Sequence, residues 1–144
     1  AVVYFDLDGF KQINDTMGHP VGDRLLQAVA TAAESGARLE ELFARFGGDE
    51  FALVLRPKSR EELEVAAERI RGCMVDAAQR GGASMVTVSA GAALMRLGSV
   101  ELEYAVDLIS KSADDALYAA KHEGRNKAVV VEVDPPVSDH RQAS

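Results

Sequence analysis

The sequence predicts an α/β domain of the α+β kind, a mixed, mainly antiparallel sheet with helices packed on it. Apolar spacing alternates between strand-like and helix-like periods in the order β-α-α-β-β-α-β-α-β along the 144 residues. Two strands are neighbours in mid-chain, joined only by Gly47, Gly48, Asp49 and Glu50, which implies a hairpin. Helical stretches between the other strands serve as crossovers. Hydrophobic residues make up 47% and charged residues 27%, an ordinary balance for a soluble globular domain.

Residues 1–5 form a short apolar run rich in Val and aromatics, read as a buried strand. It stops at Asp6-Leu7-Asp8-Gly9, placing two carboxylates at the strand end on one side. Asp8 is read as a cap on the next helix. Asp6 is still on the strand, where capping explains little, and is well placed to bind a metal. Residues 10–17 read as a short helix ended by Gly18. His19 is a turn residue, and after Pro20 and Gly22 a second helix covers about 21–35, with Val21, Leu25, Val29 and Ala32 as its core stripe. Asp23 lies in its first turn, where an acid merely favours the positive helix end by up to about 1 kcal/mol on the blander reading.

Gly36 ends that helix and residues 38–41 lead into the hairpin, with half-strands 42–46 and 51–55. Paired glycines permit positive φ and let a ligand approach without a Cβ in the way. A tight turn needs only one Asp or Asn beside a glycine, so the second acid is surplus to turn-making. It points to a cation site beside an oxygen-rich ligand such as a nucleotide phosphate, the alternative being an exposed turn and nothing more. After Pro57 and Ser59 a long helix covers about 60–79, burying Leu63, Ala67, Ile70 and Met74. Cys73 near that stripe reads as a structural thiol, and Arg69 and Arg71 off it as solvated. Residues 85–94 alternate Val86, Val88, Ala90 and Ala92 against Thr87, Ser89 and Gly91, a strand with one face in the core. Ser89 has no His or Lys base in its sequence context.

The last helix, about 102–123, is expected to bury Val106, Ile109, Ala113, Leu117 and Ala120, with Gly124 as its C′ residue. Lys121 and Arg125 bracket its end. Cations are favourable there in any case; the sharper reading is a pair, four positions apart, reaching one polyanion. Residues 128–133 close the sheet, and 134–144 read as a polar tail or linker.

Composition bounds the function. A net charge of −7 argues against a nucleic-acid groove. One cysteine excludes an intrachain disulfide, and no zinc pattern is present, so a reducing, cytoplasmic compartment is expected. No apolar run reaches the length of a membrane span, so this segment makes no membrane contact, although a parent protein could be anchored elsewhere. The chain starts without Met and directly in a strand, as expected of a piece of something longer. It contains no Walker loop and no dinucleotide fingerprint.

Four blocks in register carry a resemblance: DLDGFKQINDTMGHPVGD over 6–23, GGDEF over 47–51, VSAG over 88–91 and ADDALYAAKHEGRN over 113–126. With them the chain resembles the GGDEF domain of the diguanylate cyclase family. The resemblance implies a palm-like fold similar to nucleotidyl cyclases and polymerase palms, spanning 1–133 with the usual N-terminal segment missing. It implies condensation of two GTP into cyclic di-GMP. Asp6, Asp49 and the carbonyl of Leu7 would bind metal, with Glu50 in support and Asp49 assisting proton removal. Like charges about 4 Å apart repel by roughly 4 kcal/mol at an effective dielectric of 20, so such a cluster calls for divalent cations, Mg²⁺ or Mn²⁺, two per site.

Lys121 and Arg125 would hold the outer phosphates, with the amides of Phe10 and Lys11 assisting and Gly47 and Gly48 lining the substrate. Asn14 and Asp23 would read guanine, because a carboxylate accepts from N1–H and the exocyclic amine together. One GTP site per domain implies a homodimer, fused to sensor or output domains. The family's inhibitory product site, Arg-x-x-Asp, stands here as Arg38-Leu39-Glu40-Glu41, with Arg69 matching a secondary contact; the added methylene of Glu41 puts that site in doubt. The alternative to a cyclase is a non-catalytic GTP-binding module that controls a neighbouring domain.

Overall fold

The computed structural model describes residues 1–135, so most of the expected tail, 136–144, lies outside the described residues. The elements are β1 (Val2–Asp8), α1 (Phe10–Met17), α2 (His19–Gly36), β2 (Leu42–Arg45), β3 (Glu50–Val54), α3 (Arg60–Arg80), β4 (Thr87–Met95), α4 (Leu102–His122) and β5 (Ala128–Val133). They follow the order that the periodicities predict. The sheet order is β2-β3-β1-β4-β5, with every neighbouring pair antiparallel except β4–β5, which is parallel. The helical connection between β4 and β5 is what allows that parallel pairing, since two parallel strands cannot be joined by a tight turn.

The register sorts the sheet into two faces. Val3, Phe5 and Leu7 stand opposite Ala92, Ala90 and Val88, and Phe51 and Leu53 continue that row on β3. All are buried and pack with Leu25, Leu26, Val29 and Ala33 of α2 and Leu63, Ala67, Ile70 and Met74 of α3. Each such Leu or Phe contributes about 1.5–3 kcal/mol by leaving water. The α2 stripe is rotated from the expected one: Val21 and Ala32 are half-buried, and Leu26 and Ala33 take the fully buried places.

The opposite face is covered by α4, and here two expectations are corrected. β4 is buried on both faces, since Ser89, Gly91 and Ala93 are as buried as Val88 and Ala90. α4 turns Ala105, Ala113, Ala116, Leu117 and Ala120 to the sheet, while Val106 is half exposed and Ile109 only partly buried. The reason is closeness of approach. A Cβ on Gly91 would lie 2.1 Å from the Leu117 amide nitrogen and 2.3 Å from the Ala113 carbonyl oxygen. Small side chains let two backbones touch, and bulkier ones are turned outward.

Glycine works similarly between helices. Gly36 is the last residue of α2 rather than a residue beyond it, and a Cβ there would meet Cys73 Sγ at 2.8 Å. Cys73 is a half-buried packing thiol, as expected. α4 ends as predicted, on Gly124 at φ 110°, with the Arg125 amide bonded back to the Ala120 carbonyl at 3.0 Å. Among the described residues no helix is long and apolar enough to cross a membrane.

Candidate active site

The ends of β1 and β3 meet the first turn of α1 and the last turn of α4. Asp6 stands directly opposite Glu50 in the antiparallel pairing, and the Leu7 amide donates to the Asp49 carbonyl at 3.3 Å. Glu50 thus belongs to β3 rather than to the loop before it. Asp6 is 7% exposed, and Lys121 of α4 donates to its Oδ2. Burial pushes the Asp6 carboxyl above its ordinary value; the Lys121 hydrogen bond opposes this, and the charge of neighbouring Asp49 adds to it. Asp6, Asp49 and Lys121 are therefore brought together from three distant stretches of chain.

Gly47 and Gly48 do not use the left-handed region, contrary to one of the two reasons the sequence offered for them. At Gly47 the missing Cβ serves a group of the chain itself. A Cβ on Gly47 would lie 2.5 Å from Glu50 Oε2, so the bare backbone makes room for that carboxylate. A Cβ on Gly48 would meet nothing within 4 Å, so nothing inside the chain demands glycine there. Arg45, which the sequence reading passed over, donates from Nε to the carbonyls of Gly47 and Gly48, each at 3.1 Å, and holds the turn in shape.

α1 begins at Phe10 behind Gly9, whose φ of 79° turns the chain and which offers no capping side chain. The first turn bonds only from Ile13, which reaches the Gly9 carbonyl, so the Phe10 and Lys11 amides lie at an uncapped, positive helix end. Asn14 lies against α2, where a Cβ on Gly22 would sit 1.9 Å from Asn14 Oδ1. That oxygen is buried and has no hydrogen-bond partner, an unmet requirement of the kind a bound ligand satisfies. Asp23, one residue beyond Gly22, is exposed.

Asp8 is not a helix cap. Its carboxylate accepts from Thr87 Oγ1 at 2.7 Å, from Ser89 Oγ at 2.8 and 2.9 Å, and from the Asn126 amide at 3.3 Å. Arg125 Nε lies 4.0 Å from it. Ser89 is thus a donor to Asp8. Arg125 and Asn126 are themselves held at φ 62° and 49°, a conformation that costs a non-glycine residue about 1–3 kcal/mol. Arg71 is not solvated as expected but bonds to Asn126 Oδ1 at 2.7 Å. No pattern in the sequence links these residues.

The second cluster lies apart, before β2. Arg38 and Glu41 close a turn, the Glu41 amide bonding to the Arg38 carbonyl at 3.0 Å and the Arg38 amide to Glu41 Oε2 at 2.8 Å. Arg69, also not simply solvated, grips both Glu41 oxygens at 2.7 and 2.5 Å and the Gly36 carbonyl at 3.1 Å. Burial alone would raise the Glu41 carboxyl, but the Arg38 amide and then Arg69 outweigh it and hold it below the usual range. The Arg38 guanidinium is loosely placed, 3.9 Å from Glu62. These residues line a cleft of about 300 Å³. Among the described residues no three Asp, Glu, His or Cys side chains gather closely enough to hold a metal ion unaided.

Comparison with known proteins identifies the family and the fold. The family model described as "Diguanylate cyclase, GGDEF domain" matches residues 1–127. The chain is 38% identical over 137 residues to the probable diguanylate cyclase DgcT of Escherichia coli K12, covering 92% of this chain and 29% of DgcT. It is 36% identical over 132 residues to diguanylate cyclase A of Treponema denticola, covering 90% of this chain and 34% of that protein. The chain thus spans about a third of these curated relatives. The GGDEF domain of DgcB from Caulobacter crescentus, solved in complex with c-di-GMP, superposes with a TM-score of 0.72 at 31% identity, covering 90% of this chain and 75% of that one. The active GGEEF domain of a diguanylate cyclase from Vibrio cholerae gives 0.72 at 30% identity, covering 90% and 80%. Family match and fold concur, and the chain belongs to the GGDEF diguanylate cyclase family.

Proposed function

We infer that this domain condenses two GTP into cyclic di-GMP and two pyrophosphates, as a cytoplasmic homodimer within a longer signalling protein. The observation that carries the reading is the buried Asp6 carboxylate, flanked by Asp49 on one side and Lys121 on the other. Two carboxylates held together against their repulsion are an arrangement for cations, and a lysine beside them is an arrangement for an anion.

The donor set fits a divalent ion. Mg²⁺ takes one or two carboxylates and completes its shell with water and substrate phosphate, so Asp6, Asp49 and the Leu7 carbonyl are enough, with Glu50 alongside. Such ions, Mg²⁺ or Mn²⁺ and two per site, supply positive charge to the phosphates and acidify the attacking hydroxyl. The protein's own groups do the positioning. The Phe10 and Lys11 amides at the uncapped start of α1 receive phosphate oxygens, with Gly47 and Gly48 leaving room. Lys121 exchanges Asp6 for a phosphate when substrate arrives, and Arg125 joins it at the outer phosphates.

Asn14 and Asp23 read the guanine edge, Asn14 filling its unmet hydrogen bond in doing so. The 3′-oxygen of one GTP attacks the α-phosphorus of the other; a P–O bond forms, the bond to the β-phosphate breaks, and pyrophosphate leaves. Asp49 takes up the hydroxyl proton. Repeating the step in the opposite sense closes the ring, so two domains must face each other.

The cleft at Arg38, Glu41 and Arg69 is assigned to product. Arg38 is free to turn toward a phosphate, whereas Arg69 is committed to Glu41, so binding is weaker than with an Asp at 41. The test is GTP turnover with Mg²⁺ across protein concentrations, with products separated by chromatography. Cyclic di-GMP forming at a rate steeper than linear in protein, and lost in Asp49→Ala, is expected. GTP binding with no product, even under enforced dimerisation, refutes the cyclase and leaves a regulatory nucleotide-binding module.

A further inference from the structure

Arg71 stands on α3, across the sheet from α4, yet its guanidinium ends against the turn that follows α4. Nη1 donates to Asn126 Oδ1 at 2.7 Å and, more weakly, to the Val88 carbonyl at 3.4 Å. Nε and Nη2 are held by Glu68 at 2.9–3.1 Å. The side chain is only 16% exposed, whereas Glu68 is 51% exposed, so the pair with Glu68 adds little and orients more than it stabilises. Asn126 is gripped a second time, through its amide, by Asp8.

Those grips fall on a strained turn. Arg125 and Asn126 are the non-glycine residues with positive φ among the described residues, and such a conformation persists only where its surroundings over-determine it. The Arg125 backbone is tied to Ala120, while its guanidinium is 61% exposed and 4.0 Å from Asp8. The base of this side chain is fixed and its head is free.

We propose that Arg71 is a positioning residue: acting through Asn126, it holds the left-handed turn that aims Arg125 at the outer phosphates. The assignment rests on the GTP site inferred above. It makes α3, which contributes no group to that site, a determinant of triphosphate affinity.

The experiment is calorimetric titration with two probes, α,β-methylene GTP, which cannot be cleaved at the α-phosphate, and GMP, which lacks the outer phosphates. It uses the unaltered chain, Arg71→Ala, Arg125→Ala and the double variant. Arg71→Ala should weaken the triphosphate by about tenfold and GMP by less than about twofold, with no further loss on the Arg125→Ala background. Asn126→Gly retains access to positive φ but removes the acceptor, so it should give the same selective loss at unchanged Tm. That variant decides the matter if Arg71→Ala does not fold. Equal losses for both probes, or additive losses at positions 71 and 125, would overturn the positioning role. Failure of the unaltered chain to bind the triphosphate would instead overturn the nucleotide site itself.

Discussion

Replacing Gly91 by Ala tests how α4 is held against the sheet. The added methyl carbon would lie 2.1 Å from the Leu117 nitrogen and 2.3 Å from the Ala113 oxygen, about 1.3 Å short of ordinary contact at 3.4 Å. Both obstacles are backbone atoms in mid-helix, so no side chain can swing aside; α4 must move off β4 or the strand must bend. Overpacking of this kind costs about 1–3 kcal/mol, and the upper end applies where only backbone can yield. For a domain this size, about 3 kcal/mol lowers Tm by roughly 10 °C. Lys121 rides on the same helix and pairs with Asp6, so displacement also separates those two groups. Thermal unfolding by circular dichroism, alongside turnover at a temperature where the variant is still folded, measures both effects. A Tm within about 1 °C of the unaltered chain would show that the reasoning from backbone proximity is wrong.

Gly48→Ala should do the reverse: with nothing within 4 Å of the new methyl, Tm should hold within about 1 °C. GTP turnover should nevertheless fall by about tenfold or more, because the methyl occupies space left for substrate. Asp6→Asn should abolish cyclic di-GMP formation yet stabilise the metal-free protein near neutral pH. The Asp6 carboxyl is raised on folding, so the native state binds the extra proton and wild-type stability falls as pH rises from the unfolded value through the folded one. Denaturant titrations of both proteins between about pH 4 and 8 should show that contribution only in wild type. Glu41 is shifted the other way: its contribution is present above the unfolded value and disappears as pH falls through the folded one. Glu41→Gln should therefore cost about 2 kcal/mol at neutral pH, a difference that narrows on acidification. Glu41→Asp should tighten cyclic di-GMP binding, measured by calorimetry.

Element order, hairpin and the end of α4 were legible in the sequence because each has a local cause: period of the apolar residues, paired glycines, Gly124 after α4; the ends of α2 were not, since His19, read as a turn residue, opens that helix and Gly36 lies within it. The phase of α4 was not. Ranking residues by hydrophobicity favours Val106 and Ile109 for the sheet side, but contact distance decides, and alanines win where a glycine on β4 admits the helix backbone. The same effect hid the second buried face of β4, whose Ser89, Gly91 and Ala93 look like a solvated or neutral row. Asp6, Asp49, Lys121 and Arg125 were legible as members of motif blocks. The hydrogen bonds of Asp8 and Arg71 were not, because Asp8 reaches Ser89 across 81 residues and Arg71 reaches Asn126 across 55. Nor could the sequence show that the bare backbone of Gly47 makes room for the Glu50 carboxylate, since the reasons it offered for the glycine pair were positive φ and ligand approach.

Lys121 meets Asp6 across 115 residues of chain. During synthesis β1, the β2–β3 hairpin and the first three helices can all leave the ribosome while Asp6 and Asp49 still lack their cation. A chain arrested before α4 has no Lys121 to set against the charge of Asp6 and Asp49, and what attracts an anion there is the uncapped start of α1 alone. The charge balance around Asp6 is therefore completed only when the last helix docks, and a chain clipped ahead of Lys121 would lack it.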